Sequence, residues 1–79
     1  MSDRVKLIWD FRGPNAGPIA SHHCIHLNEF AVSENIQDSI IDVEVVHDTH
    51  HIAYMVVNED LVTDLRRRLK PNRGQHYKE

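Results

Sequence analysis

Two short segments in the middle of the chain constrain its fold more than any other feature. Residues 40–47 and residues 50–57 each carry large apolar residues at every second position, the period of a strand with one buried face. Only Asp48 and Thr49 separate them. Two strands joined by so short a loop pair antiparallel, because a parallel pair needs a long crossover. The sequence therefore predicts a β-hairpin.

The predicted register of this hairpin gathers its apolar residues on one face. It pairs His47 with His50, Val45 with Ile52, Val43 with Tyr54 and Ile41 with Val56. Each apolar residue of these rows then meets an apolar partner across the hairpin, which favours this register over a shifted one. Asp-Thr is not a favoured sequence for a two-residue turn, so a four-residue loop in the same register is the alternative.

Three further elements follow from the periodicity of the remaining chain. Residues 5–11 alternate as a strand, and residues 18–32 carry an apolar stripe at helical spacing. Residues 59–70 form a second predicted helix, with Asn58 as its N-cap and Pro71 as its stop. The predicted order is strand, helix, strand, strand, helix.

This order predicts an α+β fold of the ferredoxin-like split type, in which two helices cover one face of an antiparallel sheet. A right-handed crossover between the first two strands leaves room for the third strand between them. The segment 75–78 is short and polar, so we expect a three-stranded sheet whose fourth strand is missing or very short. A chain of 79 residues forms a single domain, residues 1–79.

The sheet face away from the helices is predicted to be too apolar for contact with water. By alternation, this face carries Ile8, Ile40, Val46, Met55 and Val57. A contiguous apolar patch usually marks an interface, and without a fourth strand the first strand has an open edge. We therefore expect a homodimer that Met55→Asp weakens. Coverage of the patch by long neighbouring side chains is the alternative.

Histidine supplies the candidate functional site. The chain has seven histidines, and six of them lie within residues 22–26 and 47–51. On the predicted helix, His22, His26 and Glu29 form one line at spacing i, i+4, i+7. Two imidazoles one helical turn apart can hold a single metal ion. Solvated histidines without a ligand role are the alternative.

The split arrangement brings the start of the first helix and the turn of the hairpin to the same end of the molecule. Histidines of the hairpin can therefore add an imidazole to the helix pair. The predicted metal ligands are His22, His26, Glu29, His47 and His50, and the predicted ions are Zn²⁺, Ni²⁺ or Cu²⁺.

These features leave three classes of function. The first is a small homodimeric binding or regulatory module that binds a transition metal or responds to pH, since free imidazoles titrate near about pH 6.5. The second is a small dimeric-barrel enzyme that uses a pocket histidine as acid or base on a small-molecule ligand. The third is a plain protein-interaction domain. The sequence contains no recognised catalytic motif, so the catalytic residues of the second class stay unknown.

Charge and hydropathy argue against other partners. A net charge of −3 and a pI of about 6.1 do not favour nucleic acid. No apolar run approaches the length of about 18 residues that a membrane span needs. The N-terminus has no signal-peptide core, and the single Cys24 excludes a disulfide scaffold. We expect a cytoplasmic protein.

Overall fold

An antiparallel sheet of four strands carries two helices in the computed structural model, which describes residues 3–77. The elements in chain order are β1 (Arg4–Arg12), α1 (Ala16–Ser33), β2 (Ile40–His47), β3 (His50–Asn58), a 3-10 turn (Glu59–Leu61), α2 (Val62–Leu69) and β4 (Arg73–Tyr77). The strand order is β2-β3-β1-β4. The predicted α+β class and the position of the third strand between the first two are confirmed.

The fourth strand is formed, which corrects the prediction of a three-stranded sheet. β4 pairs antiparallel with β1, from Arg73 opposite Ile8 to Tyr77 opposite Arg4. Its residues are mostly exposed, so backbone pairing at the sheet edge, and not an apolar face, defines this strand. Such a strand leaves little periodic signal in the sequence. Lys78, which we included in the segment, lies outside the described residues.

The hairpin turn is confirmed, but most of the predicted register is wrong. His47 pairs with His50 across a two-residue loop, as predicted. A register shift, or bulge, then lies between Val45 and His47, so that Val45 pairs with His51 instead of Ile52. The extra residue in β2 moves each later pair by one position.

Because of this register shift, the two faces of β3 are the reverse of the predicted ones. The side that faces the helices carries Ala53, Met55 and Val57, which join residues of both helices in the core. The opposite side, hereafter the outer face of the sheet, carries the other alternating residues of β3, namely His50, Ile52, Tyr54 and Val56. A slip of one residue has this effect because successive side chains of a strand point to opposite faces.

The core forms between the inner face of the sheet and the two helices. Leu7 and Met55 are fully buried there, and Leu27 from α1 and Leu65 from α2 pack against the same cluster. The indole nitrogen of Trp9 donates a hydrogen bond of 3.0 Å to the backbone carbonyl of Leu69. This bond satisfies the polar atom of a buried aromatic ring and fixes the end of α2 over β1.

The predicted apolar patch on the outer face is therefore wrong in two of its members. Met55 and Val57 belong to the core under the helices, where they are 0% and 1% exposed. Ile8 does lie on the outer face, yet it is only 2% exposed. The remaining members, Ile40 and Val46, are partly exposed on the edge strand β2. The homodimer stays a prediction, but this patch no longer supports it.

Long side chains cover the centre of the outer face, which is the alternative that the sequence left open. Ile52 and Val56 are buried there although no helix packs on them. The ammonium group of Lys6 lies 4.3 Å from the centre of the Tyr54 ring, a cation–π contact. The same ammonium group also lies 3.6 Å from the carboxylate of Glu44 on β2.

The helices differ slightly from their predicted limits. α1 begins at Ala16, two residues before the predicted start, because Pro18 fits within a first turn whose amides need no helical partner. The second predicted helix divides into the 3-10 turn and α2, and the Asn58 side chain makes no capping hydrogen bond. Lys70 adopts a left-handed conformation with φ of 50° and ends α2 before Pro71. Neither helix in residues 3–77 has the length and hydropathy that a membrane crossing requires.

Candidate functional site

The six clustered histidines do not converge on one cavity. Three of them, His22, His23 and His26, lie on α1, while the rings of His47 and His50 meet on the outer face of the sheet. Within residues 3–77, no group of three or more His, Cys, Asp or Glu side chains has the arrangement of a metal site. The structure brings the predicted ligands together in two separate groups.

The first group is the dihistidine pair of α1, which consists of His22 and His26. Their spacing of four residues places the two rings one turn apart on the exposed surface of the helix. The two Nε2 atoms are 2.9 Å apart, and the ring centres are 4.5 Å apart. The Nδ1 atom of His26 lies 3.3 Å from a carboxylate oxygen of Glu29. The three residues therefore form one connected line.

The 2.9 Å contact is a hydrogen bond in which one Nε2 atom donates and the other accepts, so an ion that bridges the two atoms would displace that proton. An ion placed at the usual distance of about 2.0–2.1 Å from each nitrogen would bind them at an angle of about 90°. Copper(II) and nickel(II) accept such an angle between neighbouring ligands, and a tetrahedral zinc ion needs the nitrogens slightly further apart. A carboxylate oxygen of Glu29 lies 3.3 Å from the other nitrogen of His26, which makes it an ion-pair neighbour of that ring. Its role as an oxygen ligand stays a prediction.

The second group lies on the outer face of the sheet. The His50 side chain is only 9% exposed, and its Nε2 atom lies 2.7 Å from Asp10 Oδ1. The ring centres of His47 and His50 are 5.6 Å apart, at an interplanar angle of 71°. Arg73 donates two hydrogen bonds of 3.0 Å to the two oxygens of Asp10. The carboxylate of Asp10 thus joins a histidine of β3 to an arginine of β4.

The protonation of Asp10 is strongly affected by these contacts. Hydrogen bonds from Arg73 and His50 hold the pKa of Asp10 at about 2, against a reference value of 3.8, although burial acts in the opposite direction. The carboxylate is therefore ionised throughout the neutral range. The backbone amide of Asp10 also donates a 2.7 Å hydrogen bond to the side-chain oxygen of Asn72. Asp10 is a structural junction between three strands.

Sequence reasoning did not single out Asp10 or Arg73. Asp10 is a charged residue inside an apolar strand, and that interruption is the signal that marks it. Arg73 carried no signal, because its segment lacks a strand pattern and its contact with Asp10 spans 63 residues of sequence. Only the pairing of β4 with β1 brings the two side chains together.

His23 lies apart from both groups, in an aromatic pocket between α1 and β1. Its ring centre is 5.0 Å from that of Trp9 and 5.6 Å from that of Phe11. Its Nε2 atom is buried and has no hydrogen-bond partner within the described residues. Burial lowers the pKa of His23, and the charge of nearby His26 lowers it further. The imidazole is therefore held in its neutral form.

The lowered pKa of His23 predicts an acid-sensitive fold. The unfolded chain takes up a proton near the ordinary histidine pKa of about 6.5, and the folded chain takes it up only at lower pH. The stabilisation from a neutral His23 is complete above that value and is lost as the pH falls through the folded pKa. We expect His23→Phe to flatten the decline of the melting temperature between about pH 7.5 and pH 5.5. Calorimetry over this range measures the slope.

The matched control for this prediction is His76→Gln, which changes an exposed histidine of β4. This control should keep the pH dependence of the parent protein. Equal slopes in the parent and in His23→Phe would contradict the expected role of the buried ring.

Comparison with known proteins supplies no family for this chain. No protein-family model, no curated protein and no solved structure matches it. Its function must therefore be argued from the chemistry of its own side chains, because fold alone does not determine function.

Proposed function

We propose that this protein is a small transition-metal-binding module whose metal site is the dihistidine pair of α1. The observation that carries the proposal is the hydrogen bond of 2.9 Å between the exposed Nε2 atoms of His22 and His26, because an ion could bridge the two nitrogens in place of the proton they share. Both side chains are exposed, so an ion reaches them without any rearrangement of the core. A carboxylate oxygen of Glu29 lies 3.3 Å from Nδ1 of His26, whereas Nε2 of the same ring faces His22, so Nε2 is the nitrogen we assign as the metal ligand.

Two protein ligands leave coordination positions open, and a second copy of the chain can fill them. A structural zinc ion takes four ligands, and the pairs from two copies related by a two-fold axis supply four imidazoles. Ile19 lies one turn before His22 and is 49% exposed, so it adds apolar contact beside the ion. We therefore propose that metal binding and homodimerisation are coupled through α1. This role replaces the sheet-face dimer that the sequence suggested.

The fold assignment within the α+β class is also a proposal. The element order β1-α1-β2-β3-α2-β4 and the central position of β3 beside β1 support the ferredoxin-like split type. In that arrangement α1 covers the sheet with one side only, so that its other side, with the dihistidine pair, stays available to a partner.

Titration calorimetry with Ni²⁺, Cu²⁺ and Zn²⁺ tests the metal site. We expect saturable binding by the parent protein and its loss in the His22→Ala, His26→Ala double variant. Glu29→Gln should weaken binding by about tenfold, since it removes the carboxylate that orients one ligand. The matched control is His76→Ala, which removes an exposed histidine of β4 and should bind as the parent does. No binding by the parent, or equal binding by the double variant, would overturn the proposal.

Sedimentation velocity tests the coupled dimer separately. With Zn²⁺ the parent should sediment as a dimer, with EDTA as a monomer, and the double variant should stay monomeric in both. A parent protein that binds zinc and remains a monomer at all concentrations would reject the dimer and keep the metal site.

A further inference from the structure

A groove between α2 and the edge strand β4 lies away from the metal site and is lined by both apolar and basic side chains. Its volume is about 300 Å³, at the lower end of the range for small-ligand sites. Val5 and Leu7 of β1 and Val62 of α2 give it an apolar floor, and Arg66 and His76 line it as well. The groove is thus apolar at its base and basic at its sides.

The groove is open because β4 has a glycine at the position that faces its floor. Gly74 pairs with Leu7 on the inner face of the sheet. A Cβ atom at Gly74 would lie 3.6 Å from Leu7 Cδ2 and 3.7 Å from Val5 Cγ1, which is ordinary van der Waals contact. Gly13 is the only glycine among the described residues with a positive φ. The backbone therefore does not require glycine at residue 74, and its effect is to leave space.

The charge of Arg66 is not neutralised by a neighbouring acid. The last turn of α2 carries three arginines. Arg67 lies 2.8 Å from Asp64, and Arg68 lies 2.7 Å from Glu34. Among residues 3–77, Arg66 makes no ion pair, yet it is the arginine of this turn that lines the groove.

We propose that the groove binds a small organic anion in which a carboxylate ends a short apolar chain. Arg66 holds the carboxylate, because a guanidinium matches the two oxygens of that group. The apolar chain lies against Val5 and Val62, in the space that Gly74 leaves empty. His76 of β4 also lines the groove, but its Nε2 atom lies 3.9 Å from a carboxylate oxygen of Asp3, so Arg66 is the cation assigned to the ligand. This site does not depend on the dihistidine pair, so either proposal can fail alone.

Titration with hexanoate, followed by NMR through the backbone amide of Gly74, tests the site. The buffer contains EDTA, which removes any contribution from a bound metal ion. We expect saturable shifts with hexanoate. Hexan-1-ol has the same chain without the charge, and acetate has the charge without the chain. We expect hexan-1-ol and acetate each to bind at least about tenfold more weakly than hexanoate. Hexan-1-ol lacks the charged hydrogen-bonding group, and acetate lacks most of the apolar contact.

Two variants and a control locate the ligand. Arg66→Gln should weaken hexanoate binding by about tenfold or more, while leaving that of hexan-1-ol unchanged. Gly74→Val should abolish the binding of hexanoate and of hexan-1-ol, because a valine side chain fills the groove. Valine is also well tolerated in a strand, so the fold should be kept. The matched control is Arg67→Gln, which changes the adjacent arginine and should bind as the parent does.

Three results would overturn the proposal: no saturable binding of hexanoate, equal affinities for hexanoate and hexan-1-ol, or unchanged hexanoate binding in Arg66→Gln. Arg66 is exposed, so its replacement leaves the fold intact and keeps the test decisive even if the Gly74→Val variant does not fold.

Discussion

Met55→Asp is expected to remove at least about a third of the free energy of unfolding of the protein. Met55 is fully buried in the core under both helices, and an aspartate there has no partner for its charge. Burial of an unpaired charge is among the few changes that destabilise a protein by about 4–5 kcal/mol or more. A domain of this size has a total stability of roughly 4–12 kcal/mol. Urea unfolding followed by circular dichroism measures the loss.

The same experiment distinguishes the observed register from the predicted one. In the predicted register Met55 lies on the outer face, and its replacement weakens only the association of two copies. Val46→Asp is the matched control, because Val46 is 47% exposed on β2. We expect it to change the free energy of unfolding by no more than about 0.5 kcal/mol. A Met55→Asp monomer with the same free energy of unfolding as the parent would contradict the described faces of β3.

Asp10→Asn is expected to lower the free energy of unfolding at pH 7 by about 1–2 kcal/mol, because it removes a charged acceptor from a partly exposed network. The change weakens both hydrogen bonds from Arg73 and the contact with His50, whose residue is only 7% exposed. Asp42→Asn is the matched control. It makes the same change at an exposed carboxylate and should have little effect.

The acid response of the protein gives an independent check on Asp10. Its pKa is about 2 in the folded chain, whereas an unperturbed aspartate has a value near about 3.9. A lowered carboxyl pKa stabilises the fold fully above the unfolded value, and this stabilisation is lost as the pH falls through the folded one. After allowance for solvent screening, the contribution is about 1–2 kcal/mol. Asp10→Asn should remove this part of the decline between about pH 4 and pH 2, and an unchanged decline would contradict the network.

The sequence predicted the elements of this fold better than the contacts between them. The period of residues 5–11 and 18–32 was sufficient to place β1 and α1, and the two-residue loop of the hairpin followed from its length. The faces of β3 did not follow, because nearly all residues from Ile52 to Val57 are apolar and either face could be buried. A register shift between Val45 and His47 decided between them. The adjacent residues Val45 and Val46 interrupt the alternation of β2 at this position, but two neighbouring valines do not by themselves distinguish a bulge from a regular strand end.

The candidate site also combines contacts that the sequence predicts with contacts that it does not predict. His22 and His26 adjoin because four residues make about one turn of a helix, a relation that the sequence itself contains. The predicted approach of the hairpin histidines to that pair depended on the register and was lost with it. His50 instead meets Asp10, a residue 40 positions away in the sequence. A contact of this kind depends on the strand order, and local pattern does not determine it.

The irregularity of β2 also bears on how this molecule avoids unwanted assembly. β2 is an edge strand, with free backbone groups along one side and exposed Val45 and Val46 near its end. A regular edge of this kind invites another chain to add a strand. The register shift next to Val45 interrupts the even spacing of the edge groups and increases its local twist. An incoming strand can therefore follow β2 only as far as Val45, and the most apolar part of the edge is a poor template for aggregation.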